Sequence, residues 1–182
     1  MKKLMISALC IGMFAVQVSG QTPSFVKGDQ VAGISIGFGG YYSGALYSGS
    51  GVSRVPAITL YYENCVKDNL FNEKSSLGIG GTLGYTSIKV SNVLKQSNIV
   101  IGARGALHYA FVDKLDTYTG LMLGYQIVNT KWDGYDLGGA TGSGLVGSWF
   151  LGARYYFTGT LAGFAEIGYG VAIFNIGLAL KF

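Results

Sequence analysis

The sequence predicts an all-β fold, an eight-stranded antiparallel up-and-down transmembrane β-barrel with a narrow lumen filled by side chains. Three observations predict it. Charged residues make up 12% of the 182 while hydrophobic residues reach 49%, and a soluble domain carries about twice that share of charge. Beyond the N-terminus no run approaches the roughly 18 apolar residues of a membrane-spanning helix. Large apolar residues instead alternate with small or polar ones in about eight segments, each near the ten residues a tilted strand needs to cross hydrocarbon. Every backbone amide in a bilayer must be paired within the protein, so strands can span only as a sheet without a free edge. Glycine, at 30 residues, has no three-residue period and comes with two prolines, which excludes collagen.

Residues 1–20 read as a cleaved secretory signal: Lys2 and Lys3, an apolar stretch from Leu4 to Val16, and Val18-Ser19-Gly20 before Gln21. That stretch is too short for a membrane helix. The folded domain is then 21–182. Cys10 leaves with the signal, and Cys65 remains as a lone strand-end filler, which removes disulfide and paired-cysteine chemistry. Without Lys2 and Lys3 the chain has 11 basic and 9 acidic residues, scattered rather than clustered, so nucleic acid is not an expected partner.

The first strand alternates Ala32, Ile34, Ile36 and Phe38 with Gly33, Ser35 and Gly37. The second sets Ile58, Leu60 and Tyr62 against Thr59, Tyr61 and Glu63. The third sets Leu77, Ile79, Leu83 and Tyr85 against Gly78, Gly80, Thr82 and Gly84. The fourth, the longest, has Ile99, Ile101, Leu107, Tyr109 and Phe111 on one face and Gly102, Arg104, Ala106 and His108 on the other. In the fifth Leu121, Leu123, Tyr125 and Ile127 oppose Gly120, Met122, Gly124 and Gln126. In the sixth Trp149, Leu151 and Tyr155 oppose Ser148, Phe150, Gly152 and Arg154. The seventh places Ala165, Ile167 and Tyr169 against Phe164, Glu166 and Gly168; the eighth places Ala172, Phe174, Ile176, Leu178, Leu180 and Phe182 against Ile173, Asn175, Gly177 and Lys181.

Side-chain size decides which face is outside. One face carries nearly all the Leu, Ile and aromatic residues, the other glycine and nearly all strand-borne charge; small residues suit a narrow lumen, so the apolar face meets lipid. With both termini in the periplasm, the outside loops are about Tyr41 to Arg54, Thr86 to Gln96 and Thr130 to Ser143, with a type II′ turn at Gly170-Val171. The periplasmic turns are about Lys67 to Ser76, Asp113 to Asp116 and Thr158 to Thr160. Interfacial aromatics gather at Tyr41, Tyr42, Trp132 and Tyr135 on one rim and Tyr109, Phe111, Tyr118, Tyr155 and Phe157 toward the other.

The last strand, Phe174 to Phe182, resembles the C-terminal assembly signal of bacterial outer-membrane barrels, with apolar Phe174, Ile176, Leu178, Leu180 and a terminal Phe182. Gly102-Ala103-Arg104-Gly105, Leu115-Asp116-Thr117-Tyr118-Thr119-Gly120, Gly152-Ala153-Arg154-Tyr155-Tyr156-Phe157 and Phe164-Ala165-Glu166-Ile167-Gly168-Tyr169-Gly170 resemble the small barrels of the OmpX and opacity-protein type. The resemblance implies the bacterial outer membrane, outer-membrane lipid around the barrel and the barrel assembly machinery as a partner. It leaves activity open, since such barrels include structural proteins, adhesins, secretion accessories and a few enzymes.

Inside eight strands the lumen is filled rather than an aqueous channel. Arg154 is expected opposite Phe164 and diagonal to Glu166, with Asn175 opposite Glu166; Arg104 and His108 share a face with Glu63 within reach around the lumen. These six form a polar network that satisfies buried charge, with a gate or proton path as the sharper alternative. His108 has no serine at a telling spacing, so no catalytic group is expected, and the dispersed acids offer no metal or cofactor site. The leading expectation is a non-enzymatic barrel with a structural, adhesion or surface-interaction role, meeting an envelope or host protein through its outside loops. The alternatives are an accessory to secretion that docks through Lys67 to Ser76, a small-solute pore or a lipid-modifying enzyme.

Overall fold

The computed structural model describes residues 24–40, 52–90, 94–132 and 142–182. The expected signal peptide and residues 41–51, 91–93 and 133–141 of the three long outside loops, with Tyr41, Tyr42 and Tyr135, lie outside the described residues. Eight strands run β1 Gln30–Phe38, β2 Val52–Asp68, β3 Ser75–Val90, β4 Leu94–Val112, β5 Leu115–Trp132, β6 Gly144–Tyr156, β7 Leu161–Tyr169 and β8 Phe174–Lys181. Each pairs antiparallel with the next, and β8 pairs with β1 to close the barrel. No strand among them has a free edge, the condition that hydrocarbon imposes.

Following the register once around, Tyr156 pairs with Ala162, then Ala179, Gly33, Tyr61, Thr82, Gly102, Gly124 and Val146. The path returns to β6 ten residues above its start, at Val146 rather than Tyr156. Such a stagger tilts the strands by about 40° and sends inward side chains of distant strands toward one another across the lumen.

Alternation holds along the strands. Leu121, Leu123, Ile101, Trp149, Ile167, Ile176 and Leu178 are exposed, while Arg104, Met122, Phe150, Arg154 and Glu166 on the opposite faces are buried. The C-terminal residues Phe174, Ile176, Leu178, Leu180 and Phe182 all point outward. One residue in the expected girdle does not: Tyr118 is buried in the lumen, because its even position on β5 shares the face of Met122 and Gln126. Tyr109 stacks near Phe111 at 4.7 Å and Tyr155 near Phe157 at 5.9 Å, forming the aromatic rim at the end that carries the C-terminus, here called the lower end.

The strands are longer than their apolar alternation. β2 to β5 have 17, 16, 19 and 18 residues against 9, 9 and 8 in β1, β7 and β8. The surplus lies at the upper end, where Val52 pairs with Val90, Val90 with Leu94 and Leu94 with Trp132. Arg54, the stretch Thr86 to Val90 and the stretch from Leu94 to Gln96 are therefore strand, not loop, since backbone pairing continues after apolar alternation stops. The lower connections are correspondingly short. Asp113 and Lys114 alone join β4 to β5, with Lys114 at φ 64°, and the β2–β3 turn is confined to 69–74. In that turn the Ser75 hydroxyl accepts the amides of Phe71 and Asn72 at 2.9 and 3.1 Å.

The β7–β8 register centres on Gly170-Val171, with Glu166 opposite Asn175, but pairing stops at Ile167–Phe174 and leaves a wider connection than a type II′ turn. Gly170 sits at φ 131°, open to glycine alone, and a Cβ there would collide with Ser148. The connection reverses the parity expected for its residues: Ala172 is buried and Ile173 exposed.

Candidate functional site: the charged lumen

Glycines make room for the lumen. A Cβ at Gly33 would strike the Tyr61 ring, one at Gly78 the Glu63 carboxylate and one at Gly152 the Tyr118 ring, so each large inward residue lies over a glycine on a neighbouring strand. The glycine-rich face and the charged face are thus the same face.

Six ionisable groups meet there. Glu63 of β2 lies 2.7 Å from His108 Nε2, 3.4 Å from an Arg154 terminal nitrogen and 4.0 Å from Arg104. Asp116 of β5 lies 2.9 Å from His108 Nδ1 and 3.4 Å from Arg154. Glu166 of β7 accepts from Arg104 at 3.0 Å and from the Tyr118 hydroxyl at 2.9 Å. A neutral imidazole donates from one nitrogen only, so both carboxylates beside His108 are satisfied when both nitrogens carry protons. Three cations then face three carboxylates, which is how charges survive burial.

The guanidinium groups add a second kind of contact. Arg104 lies 4.2 Å from the Phe150 ring centre and 4.5 Å from that of Tyr61, and Arg154 lies 5.1 Å from that of Tyr118. The Nε atoms of both arginines have no hydrogen-bond partner among the described residues, and the ring faces provide electrostatic compensation instead. Below the network, Phe25 from the segment before β1 inserts into the lumen, buried, 4.5 Å from the His108 ring. Lys181 of β8 fastens that segment, donating to the Ser24 carbonyl at 3.1 Å and pairing with Asp29 at 3.3 Å.

The arrangement departs from the expected pairs in three ways. Arg154 does not pair with Glu166; it meets Asp116, its register partner on neighbouring β5, and reaches across the lumen to Glu63 of β2, while Arg104 takes Glu166. Asn175 stands opposite Glu166, yet its Oδ1 has no partner among the described residues, so it lines the lumen without joining the bonds. Asp116, assigned to a turn, is a buried strand residue and a full member of the network. Asp116, Tyr118 and Phe25 were the omissions. The parity of β5 carries a signal for the first two, whereas Phe25 precedes any alternation.

Above Arg104 and Glu166 a cavity of about 50 Å³ remains, bounded by Met122, Val171 and Asn175 among others. Among the described residues no group of three or more His, Cys, Asp or Glu is placed to share a metal ion. Cys65 is buried beside Phe25, Val31 and Tyr61 near the lower end.

No protein-family model matches the chain, and no curated protein matches it in sequence. Its fold is similar to the crystal structure of Ail, the attachment invasion locus protein of Yersinia pestis, with a TM-score of 0.53 and 12% identity over 86% of this chain and 100% of that one. The same protein in complex with the heparin analogue sucrose octasulfate gives a TM-score of 0.54 and 10% identity over the same shares. The outer membrane protein OprG from Pseudomonas aeruginosa is similar over 90% of this chain and 99% of its own, with 10% identity and a TM-score of 0.46. At these identities the likeness to Ail shows the fold, a closed eight-stranded barrel.

Proposed function

We propose that the chain is a non-enzymatic integral protein of the bacterial outer membrane, closed to solutes, with a structural and surface-display role. The observation that carries this reading is the division of the wall. Leu, Ile and aromatic residues are exposed around the outside, while among the described residues the inside is filled by a six-membered ion network with a cavity of about 50 Å³ above it. Such a wall belongs in lipid, and such an interior transmits no solute. The C-terminal residues Phe174, Ile176, Leu178, Leu180 and Phe182 form the outward stripe that the barrel assembly machinery would recognise, and the tall strands β2 to β5 would carry the outside loops above the membrane toward an envelope or host protein.

Cell fractionation and planar-bilayer recording of the full chain test this reading. We expect recovery in the outer membrane, a heat-dependent shift of the folded band on a gel and no stepwise conductance. Recovery as a soluble periplasmic protein would overturn the location, and stable unitary currents would overturn the closed lumen. A second reading, a secretion accessory, is favoured by Phe71, which is 79% exposed in the lower β2–β3 turn where a partner could dock. Photo-crosslinking from Asn72 in that turn separates the two, since a specific protein adduct there favours the accessory.

A further inference from the structure

Ser24 to Asp29, the segment before β1, turns under the lower mouth of the lumen and puts Phe25 into it. Phe25 is buried in a cluster with Val31, Tyr61, Cys65, Tyr156 and Phe164, while Lys27 and Gly28 face solvent. Gly28 stands at φ 97°, and a Cβ there would meet nothing within 4 Å. The turn that carries Phe25 inward is therefore made at a glycine that nothing packs against.

Two groups at the rim hold the segment. The Lys181 ammonium donates to the Ser24 carbonyl at 3.1 Å and to Asp29 Oδ2 at 3.3 Å, and the same carboxylate oxygen accepts the Val26 amide at 3.1 Å. The Lys181 and Asp29 side chains are 24% and 23% exposed, so salt screens this pair, whereas the ion network behind it is buried. A further tie, from the Lys27 amide to Asp68 at 3.4 Å, also lies in the exposed rim. From Gly28 onward the chain is anchored: the Gly28 amide donates to the Cys65 carbonyl at 3.1 Å, and the Cys65 amide to that of Asp29 at 2.9 Å. Phe25 itself meets the network through ring contacts, 4.5 Å from the His108 ring and 5.7 Å from the Arg154 guanidinium. The ion pairs of the network close among the strands, so the segment can leave without breaking one of them. A short stretch with one buried side chain and solvent-exposed ties is the kind that opens locally.

We propose that Ser24 to Lys27 form a lid on the lower mouth, hinged at Gly28 and latched by Lys181 and Asp29, whose opening admits water to the His108, Glu63 and Asp116 end of the network. This goes beyond the closed-lumen reading and does not contradict it. Arg104, Glu166 and the packed residues above them stay in place, so opening wets the lower end without making a pore. The latch joins the two ends of the barrel, since Lys181 belongs to β8 and Asp29 leads into β1, the strands whose pairing closes the wall. The lid therefore seats only on a closed barrel.

The test places 4-fluorophenylalanine at position 25 of the folded full chain in micelles and reads its fluorine resonance in H2O and D2O. We expect a solvent-protected resonance at low salt, and a solvent-exposed one that grows as salt approaches about 1 M, where charges are screened beyond about 3 Å. K181Q and D29N should each raise the exposed fraction about fivefold at low salt and abolish its salt dependence. D29N lies outside the strands and gives the reading if K181Q does not fold. K181R should keep the lid closed, and K114Q, at the same end, should leave it unchanged. Cys65 supplies a second readout in a C10S background: F25A should speed its alkylation about tenfold while the folded band on a gel persists. A wild-type resonance already exposed at low salt would overturn the proposal, as would spectra unchanged in both D29N and K181Q. Salt dependence that survives in D29N, or opening by K114Q equal to that by K181Q, would mark a general charge effect and overturn the latch. Cys65 still protected in F25A would show that Phe25 is not the seal.

Discussion

The lower and upper halves of the lumen are filled by different chemistry. Below, Glu63, Asp116 and Arg154 are almost wholly buried, and the two carboxylates are bridged both by His108 and by Arg154. Above, Val100, Met122, Val146 and Phe150 pack together, with neutral Asn98, Thr86 and Gln126 over them. A buried charge is tolerated only against its opposite, with geometry that satisfies both, so the lower half fixes where each side chain must lie. Neutral packing makes weaker demands on position, and the cavity above Arg104 falls on the upper side of that boundary. The difference teaches that this barrel concentrates positional specificity at one level of its interior.

The largest break in that comparison is at Glu63, which faces His108, Arg154 and Arg104 at once. Glu63→Ala leaves three cations against two carboxylates, and we expect a loss of about 3–5 kcal/mol in equilibrium urea unfolding from micelles. Glu166→Ala removes a carboxylate that serves one arginine and one tyrosine, and should cost less, about 1–3 kcal/mol. The double variant Glu63→Ala with Arg154→Ala should fall short of additivity by about 1–3 kcal/mol, as contacting charges do. Additive losses would show that the lower half is a set of separate contacts rather than one network.

Above the boundary, Met122→Ala truncates a buried side chain at the edge of the cavity, and we expect about 2 kcal/mol by the same measurement. Cost there should follow the volume removed and not the charge, so Met122→Leu should be close to neutral. A loss at Met122 as large as that at Glu63 would erase the distinction between the halves.

Parity was legible in the sequence, and partnership was not. A period of two assigns Arg104, His108, Glu166 and Arg154 to one face without reference to any other strand. Counting across a turn also gave the true opposites, Arg154 with Phe164 and Glu166 with Asn175. Arg154 meets Asp116 as its ladder partner on neighbouring β5, whereas its contact with Glu63 on β2 exists because closure with a ten-residue stagger brings non-adjacent strands together, and no local count contains that number. Strand length was hidden for a different reason. Ser87, Lys89, Ser97 and Lys95 break the apolar alternation, so the upper wall resembles loop although its backbone pairing is unbroken. Tyr118 illustrates a conflict of cues: an aromatic near a strand end suggests an interface, but its parity on β5 places it inside.

The smallest expected effect is at Asn175, and it sharpens the comparison from the neutral side. Asn175 stands beside Glu166 in register, yet its Oδ1 makes no hydrogen bond among the described residues, so removing it breaks no charged contact. Its amide fills space at the cavity and over Gly37, where an added Cβ would collide with it. Asn175→Ala should therefore change stability by less than about 1 kcal/mol, because loss of packing is offset by relief of an unsatisfied buried acceptor. Asn175→Asp should cost more than the alanine change, since it adds a fourth carboxylate beside three cations without a free partner. If Asn175→Ala instead cost as much as Glu166→Ala, the neutral residue would be holding Glu166 in place, and the boundary between the halves would lie one turn of the ladder higher.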